Sequence, residues 1–118
     1  MALTHAQPGD VIDVRPLGER LRESSTHAIL RTEALELMRV ILRAGDRWPP
    51  RGAPGEMTLQ LLEGAAVVEG AGERRLEPGQ LVLLPAGAVN VLRALQDSSL
   101  LVTQHRPPES RGEDVADL

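Results

Sequence analysis

The sequence predicts an all-β domain, either a β-sandwich or a small closed barrel, and two observations carry this prediction. Short apolar segments recur after residue 26, and turns rich in Gly and Pro separate them at short intervals. No helical stripe of useful length appears after residue 23. At 118 residues the chain is expected to form one domain, with a barrel core of about 26–104, an N-terminal arm of 1–25 and a polar tail of 106–118.

The individual elements are predicted from the turn residues that bound them. The segment from Pro16 to Arg22 predicts a short N-terminal helix, with the proline near its first turn. Segments rich in Leu and Val predict the strands, and these are 26–31, 35–43, 57–63, 66–69, 73–76, 81–84, 89–95 and 100–104. Three prolines and two glycines between Arg47 and Gly55 exclude regular structure there. The segment 70–72, Gly-Ala-Gly, predicts a hairpin.

Residue types that are absent narrow the chemistry. The chain has no Cys, which excludes disulfides and thiolate chemistry, and its 13 basic residues are all Arg, which excludes a Schiff-base lysine. Trp48 is the only Trp, Tyr or Phe, so a stacking platform for sugars or bases is not expected. The net charge of -4, without a basic cluster, argues against nucleic acid as a partner. No apolar run suggests a membrane partner, and the N-terminus lacks the pattern of a secretory signal, so a cytoplasmic location is expected.

Glycines and prolines recur at a regular spacing in two stretches. In the first, Gly45 is followed by five residues, Arg51, one residue, Ala53, three residues, Met57, six residues and Gly64. In the second, Gly79 is followed by five residues, Pro85-Ala86-Gly87, two residues, Asn90, three residues and Ala94. The glycines are expected at positions where strands turn with positive φ.

These two stretches resemble the signature motifs of the cupin family, G-x5-H-x-H-x(3,4)-E-x6-G and G-x5-P-x-G-x2-H-x3-N. The resemblance covers about residues 26–104 and implies an all-β double-stranded β-helix, a jelly-roll barrel, with the short N-terminal helix added to it. In typical cupins the two His, the Glu and the third His of these motifs hold a metal ion. The corresponding residues here are Arg51, Ala53, Met57 and Asn90, which suit a metal poorly. We therefore expect neither a metal nor another cofactor.

The same resemblance places a set of side chains in or near the barrel lumen. The pocket candidates are Trp48, Arg51, Met57, Leu59, Asn90 and Leu92. Arg51 and Asn90 are candidates to bind a carboxylate or a phosphate at the barrel mouth. The alternatives are that Arg51 reaches into solvent, that Asn90 is a structural amide, and that Met57 and Trp48 only fill or cover the core.

Three functions are left open by these residues. The first is a metal-free cupin that binds a small ligand in the barrel, and an anion is one candidate for that ligand. The second is an enzyme with a non-standard site, built either from a metal held by His27 and His105 or from acid–base chemistry at Glu56 or Glu63. The third is a structural or partner-binding module. Exposed sheet edges, together with the resemblance, lead us to expect a homodimer.

Overall fold

The computed structural model describes residues 5–48, 54–70, 72–87 and 91–108, and within these the regular structure is nearly all β. A 3₁₀ helix, Gly18–Glu23, precedes the strands. The strands are β1 His27–Arg31, β2 Leu35–Leu42, β3 Arg47–Trp48, β4 Met57–Glu63, β5 Ala66–Glu69, β6 Arg74–Leu76, β7 Leu81–Leu84, β8 Val91–Ala94 and β9 Ser98–His105.

The strands form two antiparallel sheets that face each other. The five-stranded sheet has the order β1-β2-β9-β4-β7, and the four-stranded sheet has the order β3-β8-β5-β6. Consecutive strands from β2 onward therefore cross repeatedly between the sheets, and β9 returns to lie between β2 and β4. This is the arrangement of a jelly roll, in which two Greek-key halves close around a common core. The predicted all-β jelly-roll barrel is confirmed.

The core lies between the sheets because alternate residues of each strand point inward. In β2 the inward residues are Val40 and Leu42, and in β4 they are the three apolar residues at 57, 59 and 61. The four-stranded sheet contributes Val68 and Leu92 to the same cluster. Burying a side chain of this size stabilises the fold by about 1.5–3 kcal/mol, so this cluster dominates the stability of the barrel.

Most predicted strands agree with the structure to within two residues at each end, and two elements differ from it in kind. The strands at 57–63, 66–69 and 81–84 have the predicted bounds, and β5 pairs with β6 across the predicted hairpin. The predicted helix is a 3₁₀ helix that begins two residues later, at Gly18. The prediction of irregular structure after Arg47 was wrong for Arg47 and Trp48, because both pair with β8.

The N-terminal arm lies against the outer face of the five-stranded sheet. The amide of Ala6 donates to the carbonyl of Ile29 in β1 at 2.9 Å. Further along, Leu21 is buried, and the guanidinium of Arg43 donates to the carbonyls of Leu21 and Arg22 at 3.2 and 2.5 Å. The arm therefore covers residues of β1 and β2 that would otherwise face solvent. Among the described residues, no helix has the length and apolar character required to cross a bilayer.

Candidate functional site

The two motif stretches meet at one end of the barrel. The amide of Gly45 donates to the carbonyl of Ala94 at 2.8 Å, and the amide of Ala94 donates to the carbonyl of Asp46 at 2.9 Å. From that junction β3 and β8 run side by side, so that Trp48 lies directly opposite Leu92. The first motif therefore begins where the second ends.

Four of the six pocket candidates lie together. Met57 and Leu59 of β4 and Leu92 of β8 are buried in the core, with Met57 only 5% exposed, and Trp48 is half-buried against the same cluster. The remaining two candidates, Arg51 and Asn90, lie outside the described residues, as does Ala53. The described part of the lumen is thus apolar.

The residue that the motif resemblance aligns with the metal-binding carboxylate of typical cupins is Met57, which does not suit a metal. Met57 presents a thioether among leucine side chains, where the motif of typical cupins has a carboxylate. A thioether is a soft ligand with little affinity for the ions that imidazole and carboxylate groups hold. Within residues 5–48, 54–70, 72–87 and 91–108, no group of three or more His, Asp or Glu side chains is arranged to hold a metal ion.

The two histidines considered as an alternative metal pair lie apart. His27 pairs with Arg39 on one side of β2, whereas His105 pairs with Leu35 on the other. Four residues along β2 and two strand spacings across the sheet separate them by about 13 Å and about 10 Å respectively. His27 and His105 therefore cannot share one ion in this structure.

Glu63, considered as an acid–base group, holds the N-terminal arm. Its carboxylate accepts hydrogen bonds from the amides of Leu17 and Gly18 at 2.8 and 3.0 Å and from the Ser99 hydroxyl at 2.5 Å. Burial alone would raise the pKa of Glu63, but these hydrogen bonds and the nearby charge of Arg39 lower the pKa below its ordinary value of 4.5. A carboxylate kept ionised by three donors is a structural anchor rather than a proton donor.

Arg39 is the polar residue that the sequence reading missed. It lies on β2 on the opposite side from Val40 and Leu42, so its side chain is on the outer face of the sheet, yet only 4% of it is exposed because the arm covers it. Its Nη2 lies 3.5 Å from the carbonyl oxygen of Asp13, and its buried Nη1 has no hydrogen-bond partner within the described part of the chain. The sequence signal that could have identified Arg39 is a single arginine within a predicted strand that has apolar residues on both faces.

Two adjoining cavities of about 490 Å³ each open beside Arg39, between the arm and β1. They share Asp13, His27 and Arg39. One is completed by charged residues of the arm, including Arg15 and Arg20. The other is bordered by small apolar side chains of the arm and of β1, together with His5 and Asp10. In the described residues, these two cavities are larger than the groove of about 190 Å³ at the other end of the sheet.

Comparisons with known proteins find similarity in structure and none in sequence families. No model of a known protein family matches the sequence, and no curated protein sequence matches it. Solved structures do match. A protein from Bacillus halodurans has a TM-score of 0.72 at 15% identity, covering 97% of this chain and 99% of that one.

Two further structural neighbours have descriptive names. One is called a cupin superfamily protein, from Desulfitobacterium hafniense DCB-2, with a TM-score of 0.69, 14% identity, and coverage of 86% of this chain and 100% of that one. The other is called an RmlC-like cupin, from Desulfovibrio desulfuricans, with a TM-score of 0.64, 21% identity, and coverage of 80% and 97%. At these identities the likeness is one of fold.

Proposed function

Because the chain has the cupin fold, we propose that it is a metal-free protein of that fold that binds a small ligand, with an anionic group, in the barrel. Met57 carries the metal-free part of the proposal, since it supplies a thioether to an apolar cluster where a metal site needs a carboxylate. No catalytic role is assigned to any residue.

The apolar lumen and its neighbours support the ligand-binding part. Trp48 and Leu92 are directly opposed at the end of the barrel from which the first motif continues toward Arg51. An aromatic ring beside an apolar interior is a good anchor for the body of a small molecule. The Arg51 guanidinium, from the first motif, supplies the planar fork that suits a carboxylate or a phosphate.

A thermal-shift screen of small carboxylates and phosphates tests the proposal. We expect at least one compound to raise the Tm of the wild-type protein by several degrees at saturation, since a ligand at about 100 times its Kd stabilises the native state by about 2.7 kcal/mol. For at least one of these compounds, the one bound in the barrel, we expect Arg51→Ala to abolish that shift. Arg74→Ala, which removes an exposed arginine of β6 on the four-stranded sheet, is the matched control and is expected to keep it.

Two results would contradict the proposal. If every compound that raises the Tm of the wild type raises that of Arg51→Ala equally, Arg51 is excluded as the anion receptor of the barrel. One tightly bound equivalent of metal in protein purified without added metal would exclude the metal-free assignment.

Self-association is a second candidate, and the outer face of the five-stranded sheet favours it. Leu81 and Leu83 of the edge strand β7 are 55% and 56% exposed, and Leu35 of β2 is also exposed. A shallow groove between Leu35 and Leu83 continues this apolar surface. Exposed leucines on an edge strand favour pairing with another copy of the chain. We propose a homodimer through this face.

A further inference from the structure

The buried guanidinium of Arg39 is the least compensated charge in the described part of the protein. It is 96% removed from solvent, and one of its terminal nitrogens lacks any acceptor among the described residues. Its only hydrogen bond there is the long contact of 3.5 Å to the Asp13 carbonyl. Leaving a buried charge without a partner is costly, so Arg39 requires an acceptor that the described residues do not supply.

The nearby carboxylates do not supply that acceptor. Both oxygens of Asp13 are engaged by Arg15, at 2.6 to 3.1 Å. Both oxygens of Glu63 are engaged by backbone amides of the arm, and one also binds Ser99. Asp13 and Glu63 therefore lower the local potential around Arg39 without forming an ion pair with it.

The cavity beside Arg39 has room for an acceptor and an excess of positive charge. Three arginines and one aspartate line it, and that aspartate is the one already held by Arg15. Arg39 belongs to the sheet, whereas Arg20 belongs to the 3₁₀ helix, and both line this cavity. Its volume of about 490 Å³ exceeds what a single water molecule fills, and it is large enough for a small organic anion.

We infer that Arg39 and Arg20 form a binding site for a small oxyanion, a carboxylate or a phosphate, between the N-terminal arm and the five-stranded sheet. The oxyanion accepts from the free Nη1 of Arg39 and is held on its other side by Arg20. The adjoining cavity, bordered by Val11, Ile12 and Ile29, accommodates a short apolar body attached to the anionic group. This site is on the outside of the barrel and does not depend on the ligand proposed for the lumen.

Isothermal titration with three probes at constant ionic strength tests the site. The probes are inorganic phosphate, acetate and hexanoate, which separate the two anion classes and the contribution of an apolar body. We expect saturable binding of a phosphate or a carboxylate probe, and tighter binding of hexanoate than of acetate if a carboxylate is the ligand. Arg20→Gln is expected to weaken binding at least tenfold, and Arg39→Met to abolish it.

The controls separate this site from diffuse charge and from the barrel. Arg22→Gln removes an exposed arginine from the same 3₁₀ helix that does not line the cavity, and it is expected to bind the probes as the wild type does. Arg51→Ala, at the proposed barrel site, shows which part of the binding, if any, belongs to the lumen. The Arg20 variant alters an exposed side chain, so it remains informative if Arg39→Met does not fold.

Three outcomes would overturn the inference. The first is that none of the probes binds saturably below about 10 mM. The second is that Arg20→Gln binds the probes as tightly as the wild type. The third is that Arg20→Gln and Arg22→Gln lose the same amount of affinity. Loss of binding in Arg51→Ala with full binding in Arg20→Gln would assign the anion to the barrel instead.

Discussion

At the scale of single residues, Gly64 has the most demanding backbone position. It directly follows β4 and has a φ of +98°, which residues with a side chain rarely adopt. A Cβ at this position would collide with the Ser98 side chain and the Asp97 backbone. Gly79 has nearly the same backbone, with a φ of +92°, but a Cβ there would meet open space. Gly64 and Gly79 therefore both need a positive φ, and only Gly64 also has no room for a Cβ.

We expect Gly64→Ala to destabilise the protein by more than about 3 kcal/mol, because it combines backbone strain with a steric clash. Gly79→Ala is expected to cost only the backbone term, about 1–2 kcal/mol. Urea unfolding of the two variants measures the difference. Equal losses of unfolding free energy would show that the contact with β9 does not constrain Gly64.

At the scale of elements, the N-terminal arm depends on Glu63 at the end of β4. The three hydrogen bonds to this carboxylate join the arm and β9 to β4. Since the lowered pKa of Glu63 lies below its ordinary value of 4.5, the folded state favours the ionised form. Its contribution is therefore fully present above pH 4.5 and is lost as the pH falls through the lower folded-state pKa.

We expect Glu63→Gln to lower the unfolding free energy by about 1–2 kcal/mol near pH 7, because an amide group replaces an acceptor that faces backbone donors. The difference between variant and wild type should shrink as the pH falls below 4.5. Chemical unfolding across this range measures it. Glu56→Gln, at an exposed carboxylate just before β4, is the control and should leave the stability within about 0.5 kcal/mol. A constant difference at all pH values would contradict the role of the ionised carboxylate.

At the scale of the whole molecule, the outer faces of the two sheets differ in character. On the four-stranded sheet, Arg47 and Arg93 are direct neighbours and share the carboxylate of Glu69 at 3.8 and 3.5 Å, which gives that face a charged surface. On the five-stranded sheet the exposed side chains of β7 are Leu81 and Leu83. This asymmetry favours the five-stranded sheet as the face that another copy covers.

We expect Leu83→Glu to convert the homodimer to a monomer, since it places a charge in the apolar centre of the proposed interface. Light scattering coupled to size-exclusion chromatography measures the mass. Val11→Glu is the matched control, because Val11 is 99% exposed but lies on the arm beside β1, at the opposite edge of the sheet from β7. A wild-type protein that is monomeric at high micromolar concentration would contradict the homodimer.

The sequence predicted well the elements that have turn residues at their ends. The prediction failed where contacts between distant segments decide the structure. Met57–Glu63 and Leu81–Leu84 have the predicted bounds because glycine or proline adjoins each of them. The strand character of Trp48 was missed, since it depends on pairing with β8 and not on its own proline-rich surroundings.

The candidate site was predicted only in part for the same reason. The motif resemblance, combined with alternation along the strands, predicted that Met57, Leu59 and Leu92 face one interior, and all three lie in one cluster. The environment of Arg39 depends on the arm, whose anchoring hydrogen bond joins residues 17 and 63. In β2 apolar residues stand on both faces, so alternation alone does not reveal which side Arg39 takes.

The central position of β9 has a consequence for folding during synthesis. Every residue of β2 pairs with this strand, and β4 pairs with its other edge. A nascent chain on the ribosome therefore completes eight strands before it makes the one that joins them. Until then β2 and β4 each expose an open, leucine-rich edge, so chaperone protection during this interval matters more than the small size of the barrel suggests.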